Sequence, residues 1–273
     1  RWSQKATDVL RLFFTPRWLG YLTLTVVFGL IASMLGLWQW DRRDQALAAI
    51  DLVENNYDTS ATDLSPYLGD NPFTSADEWT SVVARGEYVA SEQVLVRTRP
   101  RSGNVGFAVL VPFRTSAGTV MVNRGWIPTG ASNDYPDLLP EAPKGTVSIM
   151  GRLKPGEPVI PGRGAPQGQL PSIDLVALQA LTSEVIDESF YVTLESEVPS
   201  VSPTPLPLER PALDEGPHLS YAFQWFVFAI MGFFGYFWLL RDQDRADKGI
   251  PKDLPTRPSD AEEEDALLEA HRG

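Results

Sequence analysis

Cysteine is absent from the 273 residues. That excludes disulfides, thiolate metal sites, iron–sulfur clusters and a cysteine nucleophile. Histidine is nearly absent, with only His218 and His271 present. A three-histidine metal site cannot be built within one chain, and carboxylates alone suit hard ions rather than transition metals. Methionine occurs four times without a Met/His cluster, so the soft ligands of a copper carrier are missing. Positive charge is also short. The chain has 23 Lys and Arg against 35 Asp and Glu, a net charge of −12. Binding phosphate backbones needs a basic footprint, so a nucleic-acid partner is disfavoured. No glycine-rich phosphate loop appears, and a Ser–His–Asp site outside the tail would have to use His218. No spacing singles out a carboxylate pair for acid–base work. The chain does not read as an enzyme.

The mean hydropathy of −0.13 looks soluble, but the apolar residues are not spread evenly. No charge occurs between Arg17 and Asp41. These 23 residues, 18–40, reach roughly 34 Å as a helix, enough for a hydrocarbon core of about 30 Å. A second uncharged stretch covers 219–240. Trp18, Tyr21, Trp38 and Trp40 mark the ends of the first stretch. Tyr221, Trp225, Tyr236 and Trp238 mark the second. Aromatic residues at both ends are the belt pattern of membrane spans. The first stretch is too long for a signal-peptide apolar region and reads as an uncleaved anchor. A membrane protein with two transmembrane helices is predicted.

Lys and Arg near the span ends set the orientation. Arg1, Lys5, Arg11 and Arg17 precede the first span, and Arg241, Arg245, Lys248, Lys252 and Arg257 follow the second. The intervening side offers Arg42, Arg43 and Arg210. Residues 1–17 and 241–273 are therefore expected in the cytoplasm, and 41–218 outside the plasma membrane. The exported segment carries 13 basic and 24 acidic residues.

Residues 41–54 should continue the first helix. β-Branched runs at 81–89, 93–99, 105–115, 119–126, 146–153 and 189–195 predict strands. Ser116-Ala117-Gly118 reads as a hairpin turn. Residues 172–182 predict a short helix with Ser172 as N-cap. The expected domain is α+β, dominated by an antiparallel β-sheet. Residues 155–171 hold five Pro and four Gly and predict a surface loop, while 199–211 hold five Pro and predict an extended strap. The acidic tail from Gly249 predicts disorder, with a short helix near its end.

His218 is the most informative candidate. It stands at the mouth of the second span, and neutral imidazole ligates heme iron well. Tyr221, Ala222 and Trp225 follow at helical spacing. The competing reading is a histidine that simply favours the polar boundary. Arg42 and Arg43 leave the membrane on the same side. They suit heme propionates, or serve as ordinary interface anchors. Gly29, Ala32, Ser33 and Gly36 form a small-residue stripe extended by Gln39 and Trp40, on which another helix can approach closely. The second span of the same chain is the first candidate partner, and a helix of another protein is its rival. Gln39 lies near enough to the interface to need no role. Asn123-Arg124-Gly125-Trp126 offers either a recognition surface or a sheet edge where Arg124 bonds loop carbonyls and Trp126 packs.

Three of these segments resemble one family. Leu35-Gly36-Leu37-Trp38-Gln39-Trp40-Asp41-Arg42-Arg43, Val122-Asn123-Arg124-Gly125-Trp126-Ile127-Pro128 and His218-Leu219-Ser220-Tyr221-Ala222-Phe223-Gln224-Trp225-Phe226 are similar to motifs of the surfeit-locus family of cytochrome c oxidase assembly factors. Arg85-Gly86-Glu87-Tyr88 and Val96-Arg97-Thr98-Arg99-Pro100 resemble weaker patterns of that family. The resemblance covers about residues 15–241, and the acidic tail and composition suggest a bacterial, actinobacterial member. It implies two spans around an exported domain and a role in building heme-copper oxidases. It further implies transient binding of heme A, with His218 as candidate iron ligand; Tyr221, Trp225, Arg42 and Arg43 join it as candidate cofactor contacts on their placement in the sequence alone. The implied partners are the oxidase catalytic subunit and heme A synthase. The alternative is a structural subunit that stays on the mature oxidase or its supercomplex.

Overall fold

The computed structural model describes residues 11–69, 71–131 and 135–249. The disorder and short helix expected of the tail lie outside the described residues. The chain divides into two units, Arg1–Asp44 with Gly216–Gly273, and Gln45–Glu215.

The first unit is built by two long helices. Helix α1 spans Pro16–Asn56 and α3 spans His218–Asp247. Proline opens α1 at a position where its missing N–H costs nothing, and no further proline interrupts the helix. Both are long and apolar enough to cross a membrane. Thr23 and Thr25 return their hydroxyls to the carbonyls of Leu19 and Tyr21, each at 2.9 Å, which satisfies them within an apolar helix. Leu24, Leu30, Ile31 and Met34 of α1 and Ile230, Met231 and Phe234 of α3 are exposed. The small-residue stripe meets α3 of the same chain, as the first candidate reading expected. A Cβ on Gly29 would stand 2.8 Å from the Phe233 ring, and one on Gly36 2.8 Å from the Phe226 ring. Trp18 and Tyr236 close the antiparallel pair with ring centroids 5.8 Å apart. The predicted continuation past the first apolar stretch is present, since α1 runs unbroken to Asn56.

The second unit is a β-rich domain with a closed barrel. Its strands are β1 Thr62–Asp63, β2 Ser81–Tyr88, β3 Val94–Arg101, β4 Asn104–Thr115, β5 Thr119–Pro128, β6 Val147–Pro155, β7 Gln169–Leu170 and β8 Ile186–Val198. The order β2-β6-β8-β5-β4 closes because β4 also pairs with β2. One side of β4 is divided between two neighbours. Its first half pairs with β3, and Phe113–Thr115 pair with Gly86–Tyr88 of β2. At that closure a Cβ on Gly86 would stand 2.1 Å from the Arg114 carbonyl oxygen, so only glycine permits the approach.

Antiparallel pairs dominate the domain, as expected, in five of the eight strand pairings among the described residues. The sheet is rolled into a barrel, and β5 runs parallel to β8 with Met121 opposite Tyr191. Strand alternation sorts the core. Val120 and Val122 join Phe113, Leu153, Phe190 and Val192 in one buried cluster. Met121, between them, points the other way and packs with Leu110, Ile173 and Leu178. Phe107, Val109 and Val111 of β4 form a third cluster with Leu95 and Ile127. Burial on both faces explains why β4 and β5 read as continuous apolar runs.

Two local expectations are corrected. The short helix α2 spans Leu175–Gln179, and its N-cap is Asp174 rather than Ser172. The Asp174 carboxylate accepts from the N–H groups of Val176 and Ala177, whereas Ser172 is buried. The Pro/Gly-rich stretch 155–171 is not wholly loop, because it contributes β7, which pairs parallel with β3. The Ser116–Gly118 turn joins β4 to β5 as expected, with Thr115 N–H donating to the Gly118 carbonyl at 2.8 Å.

Candidate functional site

His218 is the first residue of α3 and is half-buried. Its Nδ1 lies 2.9 Å from Oε1 of Gln39, 179 positions earlier in the chain. A carbonyl oxygen carries no proton, so the contact is a hydrogen bond in the tautomer that protonates Nδ1, and in that tautomer of the neutral ring Nε2 keeps its lone pair. Gly216, with φ of +69°, leaves room beside it, for a Cβ there would stand 3.4 Å from Nε2. Ala222, one turn along α3, is fully buried. Tyr221 is 46 % exposed and so departs from the inner face on which Ala222 lies. Trp225 is half-buried and stands edge-on to Phe228, with centroids 5.9 Å apart. Arg42 is exposed and Arg43 half-buried, both in the helical turn after Gln39. The structure thus joins His218 to Gln39, which the sequence analysis placed on the stripe and in the first motif without a role of its own.

The seam between α1 and α3 is filled by phenyl rings at Gly29 and Gly36, so a porphyrin does not fit between the helices. At the end of the pair where His218 meets Gln39, the side chains are of the types that a flat, carboxylate-bearing macrocycle would call on. They supply a nitrogen donor in His218, an exposed aromatic ring in Tyr221 and two guanidinium groups in Arg42 and Arg43.

The Asn123–Trp126 run has a structural arrangement in the barrel. Arg124 is fully buried and pairs with Glu197, Nη2 to Oε1 at 2.6 Å. Its Nη1 donates to the carbonyls of Pro140 and Glu141 at 3.4 and 3.1 Å. The Tyr88 ring lies 5.4 Å from the guanidinium carbon. Burial, reinforced by the Glu197 charge, pushes the Tyr88 phenol well above its usual range. Gly125 has φ of +132°, and a Cβ there would stand 2.4 Å from the Leu206 carbonyl oxygen. Trp126 and Leu206 exchange two backbone hydrogen bonds of 2.8 Å, which stitch the proline-rich strap to β5. The Trp126 indole N–H donates to the Arg99 carbonyl at 2.8 Å. This is the reading in which Arg124 bonds loop carbonyls and Trp126 packs.

Two of the clefts on the barrel domain adjoin one another. One of about 400 Å³ is lined by Arg99, Asn123, Trp126, Glu157, Tyr191 and Leu208 among others. A second of about 340 Å³ has Tyr57, Trp79, Arg152 and Lys154 on its walls and shares Tyr191 and Leu208. Their charges are matched within the chain. Arg99 grips Glu157, with Nη1 to Oε1 at 2.9 Å. Arg152 pairs with Glu195 at 2.9 Å and lies 3.6 Å from the centre of the Tyr57 ring. Lys154 pairs with Glu78 and lies 3.9 Å from the Trp79 ring centre. Burial pulls the Glu157 carboxyl upward, but hydrogen bonds from Arg99 and the Ile173 N–H, with the Arg99 and Lys154 charges, hold it below its ordinary range. Among the described residues no group of three or more His, Asp and Glu side chains suits a metal ion.

A family model described as the SURF1 family matches residues 26–230. The chain is 30 % identical over 266 residues to an uncharacterized SURF1-like protein of Mycobacterium tuberculosis, covering 93 % of this chain and 95 % of that relative. The same figures hold for an uncharacterized SURF1-like protein of Mycobacterium bovis. A SURF1-like protein of Dictyostelium discoideum is 28 % identical over 119 residues, or 41 % of this chain and 44 % of that one. The three motifs noted in the sequence fall within the matched range, and two of them meet in space at Gln39 and His218. The chain belongs to the SURF1 family.

Proposed function

We propose that the chain is a membrane-anchored assembly factor for a heme-copper cytochrome c oxidase. It holds heme A as cargo at His218 and passes it toward the catalytic subunit, with heme A synthase as the donor. Helices α1 and α3 cross the plasma membrane, both termini lie in the cytoplasm, and residues 41–218 lie outside. The observation that carries this reading is the His218 imidazole at the start of α3, its Nδ1 engaged by Gln39. Arg42 and Arg43 offer guanidinium groups to the propionates, and Tyr221 offers an exposed ring to the macrocycle. A cargo held at an outer edge leaves one face for a receiving subunit. A site sealed between helices would not.

The test is purification from a host that makes heme A, with visible spectra of the wild type and His218→Ala, beside the oxidase heme content of a deletion strain. The expected result is a heme A spectrum in the wild type that disappears in the variant at equal yield, and an oxidase depleted of heme after deletion. Full oxidase heme in the deletion strain overturns the assembly role. A protein recovered without heme, in equimolar complex with mature oxidase, replaces this reading with that of a structural subunit.

A further inference from the structure

Gln39 is the feature that the helix packing leaves unexplained. The stripe on α1 needs small residues where it meets α3, and Gly29, Ala32 and Gly36 serve that purpose. The next turn carries a long amide instead. It is half-buried, at the end of a stretch of 23 residues without a charge. A buried amide carbonyl without a donor costs free energy, and the imidazole Nδ1–H is the donor it finds. A simple anchor would not require an imidazole there, since a serine or lysine donates as well. What the pair fixes, and those would not, is the tautomer of the ring.

We propose that Gln39 is a positioning residue that holds His218 as the Nδ1–H tautomer and presents a bare Nε2 to iron. This rests on the heme reading of His218. The chemistry is that of histidine ligands whose second nitrogen donates to an oxygen acceptor. The acceptor fixes the ring plane, settles which nitrogen is free and raises the basicity of the free one. Gly216 completes the arrangement, since any side chain at that position would begin 3.4 Å from Nε2. The first and third motifs of the family resemblance thereby serve one purpose. One brings the ligand and the other orients it.

The experiment uses the full chain in detergent, carrying isotope-labelled histidine. With only His218 and His271 present, a His271→Gln background leaves one imidazole to observe. Nitrogen shifts report the tautomer before any heme is added. Heme A is then titrated into the wild type, Gln39→Leu, Gln39→Glu and His218→Ala. The expected result is Nδ1–H in the wild type and in Gln39→Glu, and a mixed or reversed tautomer in Gln39→Leu. Gln39→Leu should bind heme A about 10- to 100-fold more weakly, while Gln39→Glu, which keeps an acceptor oxygen, stays near wild type with an altered iron–imidazole band. A wild-type ring protonated on Nε2 overturns the inference. So does Gln39→Leu binding heme A as tightly as wild type, and in both cases the heme reading stands if His218→Ala still loses heme. A wild type that takes up no heme A overturns the heme reading, and the positioning role falls with it.

Discussion

Arg124 and Glu197 form an ion pair in the barrel wall, 73 positions apart in the chain, with side chains 0 % and 4 % exposed. Two charges removed from water to that degree are tolerated only because each remaining donor has an acceptor. Arg124 reaches the carbonyls of Pro140 and Glu141 as well as the carboxylate. The pair therefore ties β5, the 140–141 segment and β8 into one polar joint.

Removing one partner should be far worse than removing both. Arg124→Met leaves Glu197 buried without its cation and should cost about 3–5 kcal/mol, whereas Arg124→Met with Glu197→Leu should recover most of that loss. Urea unfolding of the full chain in detergent, followed by far-UV dichroism, measures both. Equal losses in the single and double variants would disprove the joint.

The strap depends on a residue with no side chain. Gly125→Ala places a Cβ against the Leu206 carbonyl and forces a disfavoured backbone conformation, a strain of about 1–3 kcal/mol. The two bonds between Trp126 and Leu206 should then open. Limited proteolysis reads this directly as faster cleavage within 199–211, with the barrel fragments intact. Unchanged cleavage would mean that the strap is held elsewhere.

The helix pair should tolerate little added volume at Gly36. Gly36→Leu drives atoms into the Phe226 ring and should destabilise the pair by about 1–3 kcal/mol, with partial relief when Phe226→Ala vacates the space. Thermal unfolding in detergent of both variants tests this, and a double variant less stable than the single one would contradict the contact.

Acid should loosen the barrel through Glu157. Its folded carboxyl is held below the ordinary 4.5, so its stabilising contribution is complete above that pH. The contribution disappears as pH falls through the lowered folded value. Glu157→Gln should be less stable near neutrality and lose less stability on acidification than wild type. Parallel pH curves for the two proteins would exclude the Arg99–Glu157 pair as a contributor.

Much of this molecule is written locally. The strands at 81–89, 93–99, 105–115, 119–126 and 146–153 announce themselves because alternation and β-branching act over neighbouring residues, and the structure starts and stops them within a few positions. Barrel closure leaves no such mark. The contact between Gly86 and Thr115 and the parallel run of Met121 beside Tyr191 join segments far apart in the chain. Glu197 looks like a solvated charge in an acidic strand end until Arg124 arrives opposite it. Ser172 reads as a cap by residue type, yet Asp174 takes that place because the helix begins two positions later. At the candidate site the sequence supplied His218, Arg42 and Arg43. It gave Gln39 no role, since a glutamine near a boundary is ordinary until its partner is known.

The phenyl rings seated at Gly29 and Gly36 act as teeth on a ratchet, and this governs more than affinity between the helices. They permit one phase of α1 against α3, and Gln39 meets His218 only in that phase. A single residue inserted between Gly36 and Gln39 would leave the teeth engaged and the helices paired. It would swing the amide about 100° around the axis and 1.5 Å along it. Such a protein would keep its helices paired, with the imidazole facing Trp38 or the inserted residue instead of the amide oxygen.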